Sequence, residues 1–245
     1  MRSDRNDAGP RLRTGTSGFS YREWKGSFYP EKLPANRMLE YYSRQLSGVE
    51  INSTFYRMPR AEMLEKWASQ VPEDFTFVLK ANRRITHMKR LKDAGEPLDH
   101  LVRTAAGGLG GRLGAILFQL PPYLRADVGR LRDFLSILPE SARAAFEFRH
   151  ESWFDDEVYQ ALADRGAALV AADTGETAAP VVETAGFGYA RLRRPGYGEA
   201  ELAEWAAALK RPRWRDVFVF FKHEDEGAGP RMAEGFRGAW ERAAG

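Results

Sequence analysis

Short apolar segments alternate along this chain with segments of helical period, and this alternation constrains the fold more than any other feature. Eight apolar or β-branched segments predict strands near residues 12–16, 49–52, 75–80, 115–120, 144–149, 169–173, 188–192 and 217–222. Between them apolar residues recur every three or four positions, as at Leu39, Tyr42 and Leu46. Because neighbouring parallel strands need a helical crossover, this order predicts a parallel α/β sheet.

The number of units distinguishes a closed barrel from a doubly wound open sheet, which is the competing architecture. Eight strand units, followed by a last helical stripe at Met232, Phe236 and Trp240, favour a single (β/α)8 TIM-like barrel. The length of 245 residues suits such a barrel as one domain. One unit is weak, because residues 174–186 are few and contain Pro180, so we expect a weak or missing helix between strands six and seven.

Composition and the chain termini bound the class of protein. We predict a disordered tail over residues 1–10 and a barrel domain over residues 11–245. The polar start argues against a secretory signal, and no segment approaches the roughly 18 apolar residues of a membrane span, so we expect a cytoplasmic protein with no membrane partner. The absence of cysteine excludes disulfides and thiolate nucleophiles. A net charge of +3 does not by itself argue for nucleic acid.

Polar side chains stand at or near the carboxyl end of every predicted strand. Alternate residues of a barrel strand point to the interior, so strand parity predicts which polar residues meet. Glu147 and Arg149 share one side of strand five, for example, while Phe146 and Phe148 face the helices. The predicted interior ring, one residue per strand, is Thr16, Asn52, Lys80, Gln119, Glu147, Asp173, Arg191 and Lys222. Buried charges need a wet or paired location, and the barrel mouth supplies one.

A purely structural layer of salt bridges is the alternative to a functional ring. It would consist of three acids and four bases: Glu50, Glu147, Asp173, Lys80, Arg149, Arg191 and Lys222. The excess of bases favours an anionic ligand at this place.

Several longer motifs resemble one known family. They are Gly-Thr-Ser-Gly-Phe-Ser-Tyr at 15–21, Val-Glu-Ile-Asn-Ser-Thr-Phe-Tyr at 49–56, Lys-Ala-Asn at 80–82, Leu-Phe-Gln-Leu-Pro-Pro at 117–122 and Phe-Glu-Phe-Arg-His at 146–150. From about residue 12 to the C-terminus the chain resembles the family called domain of unknown function 72, or YecE-like. The resemblance implies a TIM-like barrel and carries no established biochemical function. The segments after strands seven and eight depart from the commonest form of the family, so no ligand identity is transferred.

Three residues are candidates for catalysis. Glu50 and Glu147 lie on strands two and five, where opposed carboxylates can serve as general acid and base, as in glycoside hydrolysis. The alternative is that each pairs with a basic neighbour. Lys80 can form a Schiff base if desolvation lowers its pKa, whereas a salt bridge to Glu50 or Asp173 would keep the amine charged. An enzyme of this kind would be a hydrolase or lyase using glutamate and lysine chemistry.

Metal binding has only a diffuse signature. The candidate donors are His87, His150, His223, Glu50, Glu147 and Asp173. No His-x-His or His-Glu-x-x-His pattern occurs, so zinc is not indicated. We therefore predict no cofactor, and a carboxylate-bound magnesium or manganese ion is compatible with the sequence but not supported by it.

The expected ligand-binding set is larger than the catalytic one. It comprises Thr16, Ser17, Trp24, Asn52, Tyr56, His87, Gln119, Arg149, Trp153, Asp173, Arg191, Lys222 and His223. The hydroxyl and backbone of Ser17 suit a ligand oxygen, and the aromatic residues can stack on a base or sugar. The alternative for the aromatics is packing as lids over the barrel.

Two main functional hypotheses remain open at this point. The first is an enzyme or ligand-binding protein for an anionic, phosphate-bearing small molecule, held by Arg191, Lys222 and Arg149 at the mouth. The second is a non-catalytic nucleic-acid-binding module that uses the basic loop of residues 83–90 after strand three. A third hypothesis is an interaction scaffold in which the polar ring serves only stability. The sequence does not predict an oligomeric state.

Overall fold

The structure, a computed structural model, describes residues 9–175, 178–222 and 225–243. Eight parallel strands pair in sequential order, and the first also pairs with the last, so the sheet closes into a barrel. The strands are β1 (Arg11–Ser17), β2 (Gly48–Ile51), β3 (Thr76–Lys80), β4 (Leu113–Gln119), β5 (Ala144–Glu147), β6 (Ala168–Asp173), β7 (Phe187–Leu192) and β8 (Asp216–Phe221). This architecture confirms the predicted single TIM-like barrel.

Helices follow the strands on the outside of the barrel. They are α1 (Met38–Gln45), α2 (Ser53–Tyr56), α3 (Ala61–Ala68), α4 (Gly95–Leu109), α5 (Val128–Ser136), α6 (Asp156–Arg165), α7 (Glu199–Leu209) and α8 (Ala228–Arg242). A π-helical turn, Arg84–Met88, follows β3. Within the described residues no helix joins β6 to β7, as the sequence predicts.

An extended segment takes the place of that missing helix. The hydroxyl of Thr184 accepts a hydrogen bond from the Leu169 amide at 2.9 Å and donates one to the Ala167 carbonyl at 2.8 Å. Closer to the mouth, the Ala179 amide donates to the Ala172 carbonyl at 2.9 Å. The segment therefore satisfies buried backbone groups that a helix would leave to other partners.

The core has two layers separated by the sheet. One cluster fills the barrel interior and comprises Val78, Ala115, Leu117, Ala145, Ala168, Val170, Ala172, Phe187, Tyr189, Phe218 and Phe220. Two larger clusters lie between the strands and the helices. A Cβ on Gly15 would lie 1.9 Å from the Gly48 carbonyl oxygen, so only glycine permits the approach of β1 to β2 here. This approach brings the carboxyl ends of both strands together.

Residues 1–8 of the predicted tail lie outside the described residues, and residues 9 and 10 lead directly into β1. No helix in the described ranges has the length and apolar character needed to cross a membrane.

Candidate functional site

A buried ion-pair cluster stands at the centre of the barrel mouth. Arg191, on β7, donates from Nη2 to Oε1 of Glu50 at 2.7 Å and from Nη1 to Oε2 of Glu147. The arginine side chain is 1% exposed and both glutamates are 0% exposed. One guanidinium thus joins β2, β5 and β7 across the interior and compensates the charge of both carboxylates.

The remaining oxygens of the two carboxylates also have donors. Glu50 accepts hydrogen bonds from the Ser17 hydroxyl at 2.8 Å and from the Tyr189 hydroxyl at 2.7 Å. Glu147 accepts from Nε of Arg149 in addition to Arg191. Both buried carboxylates therefore have hydrogen-bond donors on both oxygens, which is the condition for keeping charges buried.

Both carboxylates are held ionised. Burial acts to raise the pKa of Glu50, but the charge and hydrogen bond of Arg191 outweigh it and lower the pKa. Burial likewise opposes ionisation of Glu147, while Arg191 and Arg149 bring its pKa to about 2. Neither group carries a proton to donate near neutral pH, which removes the general-acid half of the predicted carboxylate pair. Pairing with basic neighbours, the predicted alternative, is what the geometry shows.

Lys80 is the last residue of β3 and shares the interior side of that strand with Val78. Its Nζ lies 4.4 Å from the centroid of the Phe55 ring. Among the described residues no carboxylate reaches ion-pair distance of this amine. The expected salt bridge from Lys80 to Glu50 or Asp173 is therefore wrong, because Glu50 is already bound by Arg191, and Asp173 faces the other side of the sheet.

The surroundings of Lys80 disfavour its charged form. Burial lowers its pKa and the nearby Arg191 lowers it further, while Glu50 and Glu147 offset part of the shift, so that the pKa is about 8. Among the described mouth residues, Lys80 is the only one whose pKa shifts from a value far from neutral to one close to it. It is the group best suited to lose and regain a proton there.

Arg193 extends the cationic side of the mouth. It follows Tyr189 and Arg191 on the interior side of β7 and is half-buried. Burial and the charge of Arg191 lower its pKa. In the part of the chain that the structure describes, it has no carboxylate at ion-pair distance. The parity of β7, continued by two residues, points this arginine to the mouth.

His87 contacts the same Phe55 ring as Lys80. The imidazole packs against the Phe55 ring with centroids 4.9 Å apart, edge to face. Its Nδ1 is 2.9 Å from the Thr86 hydroxyl, and that hydroxyl is buried. Burial and the charge of Lys80 lower the pKa of His87, so the ring is neutral at pH 7.

The predicted ring is wrong at β1. The Thr16 hydroxyl lies 2.9 Å from the Tyr42 hydroxyl of α1 and donates to the Gly18 carbonyl at 2.6 Å, so it faces the helices. Ser17, the next residue, is the one that points inward and binds Glu50. Gly15 carries no side chain, so the alternation along this strand gives no apolar signal for the interior face.

The predicted ring is also wrong at β6. Ala172 belongs to the interior cluster, whereas Ala171 packs in the outer core, so Asp173 leaves the interior. Its carboxylate accepts from the Tyr197 hydroxyl at 3.1 Å and lies 3.2 Å from Nε of Arg194. Asp173 thus anchors the β7–α7 connection rather than contributing to the mouth.

Asn52 follows β2 and takes a helical conformation before α2, so it does not continue the interior side of the strand. It lines an apolar cavity of about 230 Å³ beside the mouth, together with Phe19, Ile51 and Trp67. Its Oδ1 is buried and has no hydrogen-bond donor among the described residues. The sequence does not predict this cavity, because Trp67 comes from α3 and its contribution depends on packing between elements.

Two of the predicted stacking residues are core residues. Trp24 is fully buried and its ring centroid lies 4.8 Å from that of Tyr21. Trp153 is also buried, stacks on Phe148 with centroids 4.4 Å apart, and donates from Nε1 to the Leu124 carbonyl at 2.7 Å. Both rings are buried in the clusters between the strands and the helices and offer no exposed face for stacking on a ligand.

The other predicted ligand-binding residues differ in their placement. Tyr56 is 70% exposed and remains available for stacking. Gln119 is half-buried on the interior side of β4 with Leu117. Lys222 follows the interior side of β8, and its amide donates to the Leu192 carbonyl at 3.1 Å. His223 lies outside the described residues.

Within the described ranges, no three His, Asp or Glu side chains come together as a set that could hold a metal ion. The two mouth carboxylates are both occupied by arginines. His150 is bound instead to Ser152, whose hydroxyl lies 2.9 Å from its Nδ1.

A polar cavity of about 200 Å³ lies at the opposite end of the barrel. Its buried carboxylate, Asp216, receives hydrogen bonds from Arg11 at 2.8 Å and Arg143 at 2.6 Å. The buried Arg13 donates to the Asp74 carbonyl at 2.6 Å. Ion pairs close this end, and the amino ends of barrel strands serve stability rather than catalysis.

Comparisons with known proteins agree with this architecture. The chain is similar to the UPF0759 protein YunF of Bacillus subtilis, with 30% identity over 142 residues, which are 55% of this chain and 50% of YunF. It is also 30% identical to the UPF0759 protein YecE of Escherichia coli K12 over 129 residues, 52% of this chain and 47% of YecE. The chain thus spans about half the length of these relatives.

Solved structures match over nearly the whole chain. A DUF72 family protein of Thermotoga maritima superposes with a TM-score of 0.79 at 28% identity, covering 94% of this chain and 99% of that one. A DUF72 family protein of Enterococcus faecalis gives 0.76 at 20% identity, with coverage of 95% and 98%, and this match concerns the fold alone. The family model described as a protein of unknown function, DUF72, matches residues 13–244. The chain therefore belongs to the DUF72 family.

Proposed function

We propose that this protein is an enzyme that binds a small anionic, phosphate-bearing substrate at the barrel mouth. The observation that carries the proposal is the charge arrangement around the buried cluster. Four cations surround two carboxylates: Lys80, Arg149, Arg191 and Arg193 against Glu50 and Glu147. Because Arg191 and Arg149 already bind the carboxylates, the positive charges of Lys80 and Arg193 are left for a ligand.

The two cations left over are suited to hold an anion. Lys80 and Arg193 are half-buried, and none of the described residues offers either of them a carboxylate. Nε of Arg191 is buried beside them without an acceptor among the described residues. Cations in a partly dehydrated site bind phosphate or carboxylate oxygens with charge-assisted hydrogen bonds, which are about twice as strong as neutral ones.

The buried cluster then acts as a support for the reacting groups. Arg191 is fixed by Glu50 and Glu147, so its side chain keeps one orientation and its charge stays in place while a ligand enters and leaves. The same charge disfavours the protonated form of Lys80. A fixed positive field with one group that titrates near pH 8 suits acid–base or nucleophilic chemistry on an anionic substrate.

Thermal unfolding with a panel of anions tests the proposal. Inorganic phosphate, pyrophosphate and citrate, each compared with chloride at equal ionic strength, report binding as a rise in Tm. We expect at least one of the phosphates to raise the Tm of the wild-type protein and to raise that of Arg193→Gln much less. Arg213→Gln removes the same charge from an exposed site at the amino end of β8 and should behave as wild type. No shift with any of the three anions would contradict the proposal.

A nucleic-acid-binding surface is the second candidate, and one observation favours it. Tyr56 and Met88 are 70% and 67% exposed, and Phe55 connects the tyrosine to the π-helical turn through ring contacts of 5.0 Å and 4.9 Å. Exposed Arg83 and Arg90 flank this turn. Exposed aromatic and basic side chains in one place are typical of single-strand binding.

Salt dependence distinguishes the two candidates. Binding of a single-stranded oligonucleotide through several phosphate contacts must weaken steeply as salt rises, and Tyr56→Ala must weaken it further. No binding of the oligonucleotide at low salt would exclude the second candidate and leave the first untouched.

A further inference from the structure

We infer that the Lys80 amine forms an imine with a small aldehyde or ketone that carries a phosphate or carboxylate group. The inference rests on the proposed anion site and goes beyond it, because it names the reacting atom, the covalent step and the substrate class. The observations behind it are the contact of Lys80 with Phe55, the contact of His87 with the same ring, and the effect of the Arg191 charge on the amine.

The placement of the Lys80 amine favours its reaction with a carbonyl group. Lys80 ends β3 at the carboxyl end of the barrel, on the interior side, where its Nζ lies 4.4 Å from the Phe55 ring centroid. Nζ lies over this aromatic face, the charge of Arg191 acts on it, and no carboxylate among the described residues pairs with it. A lysine locked in a salt bridge is unreactive, whereas this amine has no such partner.

The protonation state of the amine also favours this reaction. Burial and the charge of Arg191 lower the pKa of Lys80 to about 8. At pH 7 such a lysine has roughly 200 times the neutral amine fraction of a lysine with an ordinary pKa of about 10.4. A desolvated lysine next to another cation is the arrangement that activates amines toward carbonyl carbons.

His87 can serve as the proton acceptor for the amine. His87 contacts the same Phe55 ring at 4.9 Å, and its Nδ1 is engaged by the Thr86 hydroxyl at 2.9 Å. Its Nε2 has no partner in the part of the chain that the structure describes. The lowered pKa of His87 keeps the ring neutral at pH 7, so it can accept a proton and return it.

The chemical step follows from these groups. The nitrogen lone pair of Lys80 attacks the carbonyl carbon, the C–N bond forms, and the carbonyl oxygen takes up a proton to give a carbinolamine. That first proton comes from the nitrogen. His87 then accepts the second proton that leaves nitrogen and returns it to the hydroxyl group, which departs as water. The C=N bond of the imine replaces C=O, so one carbonyl compound and one amine give one imine and one water, with no change of oxidation state.

The substrate class follows from the cations beside the amine. Arg193 and Nε of Arg191 are left to hold a second functional group of the molecule that reacts with Lys80. Because both are cationic donors, that group is an anion, and phosphate or carboxylate oxygens match arginine donors. The two glutamates are already bound to arginines and offer nothing to a cationic substrate.

Reductive trapping tests the inference. The protein is incubated at pH 7 with sodium cyanoborohydride and either glyceraldehyde 3-phosphate or glyceraldehyde, which differ only in the phosphate group. Reduction of the imine fixes the probe on nitrogen with a mass increase equal to the probe less one oxygen atom. Peptide mass spectrometry then compares Lys80 with the exposed Lys66 and Lys92 of the same sample. Lys80→Arg, which keeps the charge and cannot form an imine, is the site control.

We expect glyceraldehyde 3-phosphate to label Lys80 at least about tenfold faster than Lys66 or Lys92, because far more of its amine is neutral. Arg193→Gln should bring this rate down to the rate with glyceraldehyde. Labelling of Lys80 no faster than the exposed lysines overturns the inference, and if anions still raise the Tm the proposed anion site survives it. Equal labelling by both probes overturns the assignment of an anionic substrate and, with it, the proposed function.

Discussion

Nη2 of Arg191 lies 2.7 Å from Oε1 of Glu50, with the arginine 1% exposed and the glutamate 0% exposed. The same guanidinium binds Glu147, so three strands of the barrel meet at one cation. Removing this cation would leave Glu50 without a counter-charge and Glu147 with Arg149 alone. The pair therefore determines the stability of the mouth as well as the electrostatic field above it.

Replacing Arg191 by methionine should destabilise the protein strongly. Methionine fills a similar volume but leaves Glu50 buried without a counter-charge and Glu147 with Arg149 alone, and breaking such a buried pair costs about 3–5 kcal/mol. Urea unfolding at pH 7 measures the loss. The triple variant Arg191→Met, Glu50→Gln, Glu147→Gln removes the charges together and should recover part of it. A loss below about 1 kcal/mol in the single variant would show that the cluster is hydrated and not buried.

Acid should weaken the fold through the same cluster. The pKa of Glu147 is about 2 in the folded protein and about 4.3 in an unfolded chain, so its contribution to stability is present above about pH 4.3 and is lost as pH falls toward 2. This contribution is about 3 kcal/mol. The free energy of unfolding of Glu147→Gln should therefore fall less between pH 6 and pH 3 than that of wild type. Glu62→Gln, at an exposed site, is the control and should keep the wild-type slope.

Lys80 should have the opposite effect on the alkaline side. Its pKa is about 8 in the folded protein against about 10.4 unfolded, so the unfolded chain binds more protons between these values and stability from this group rises with pH there. Lys80→Met should raise the free energy of unfolding at pH 7 by about 1–3 kcal/mol and abolish that rise. Lys66→Met tests an exposed lysine in the same way. An unchanged or lower stability of Lys80→Met would contradict the description of this amine.

The sequence predicts the barrel and the central residues of its mouth, because those depend on strand order and parity alone. Glu147 and Arg191 alternate with large outer residues such as Phe146 and Leu192, so their inward direction is readable. At β6 the alternation is lost, because Ala171 and Ala172 fit either side of the sheet and Asp173 gives a false signal. Strand parity is informative only where the two faces differ in size or polarity.

Tertiary packing accounts for the other differences. Trp153 and Tyr56 both lie on loops or short helices at the mouth, yet one is buried against Phe148 and the other is 70% exposed. Nothing in the local sequence distinguishes an aromatic residue that packs under a loop from one that faces solvent. The lack of a carboxylate partner at Arg193 likewise depends on tertiary packing, because Asp173 and Glu201 bind Arg194 instead.

The two aromatic residues should therefore respond differently to truncation. Trp153→Ala removes a buried stacked ring and should cost about 3–5 kcal/mol in urea unfolding. Tyr56→Ala should change stability by no more than about 0.5 kcal/mol, because the side chain is exposed. Binding of inorganic phosphate to folded Trp153→Ala at low temperature should equal that of wild type. Lost binding with intact folding would restore Trp153 as a ligand-binding residue.

Calorimetric titration with inorganic pyrophosphate tests the central claim most directly. Wild type, Arg193→Gln and Arg213→Gln carry the comparison, because the two variants lose the same charge at opposite ends of the barrel. We expect Arg193→Gln to weaken the Kd at least about tenfold, equivalent to about 1.4 kcal/mol, and Arg213→Gln to leave it unchanged. Equal affinity in all three proteins, or an equal loss in both variants, would contradict an anion site at the barrel mouth.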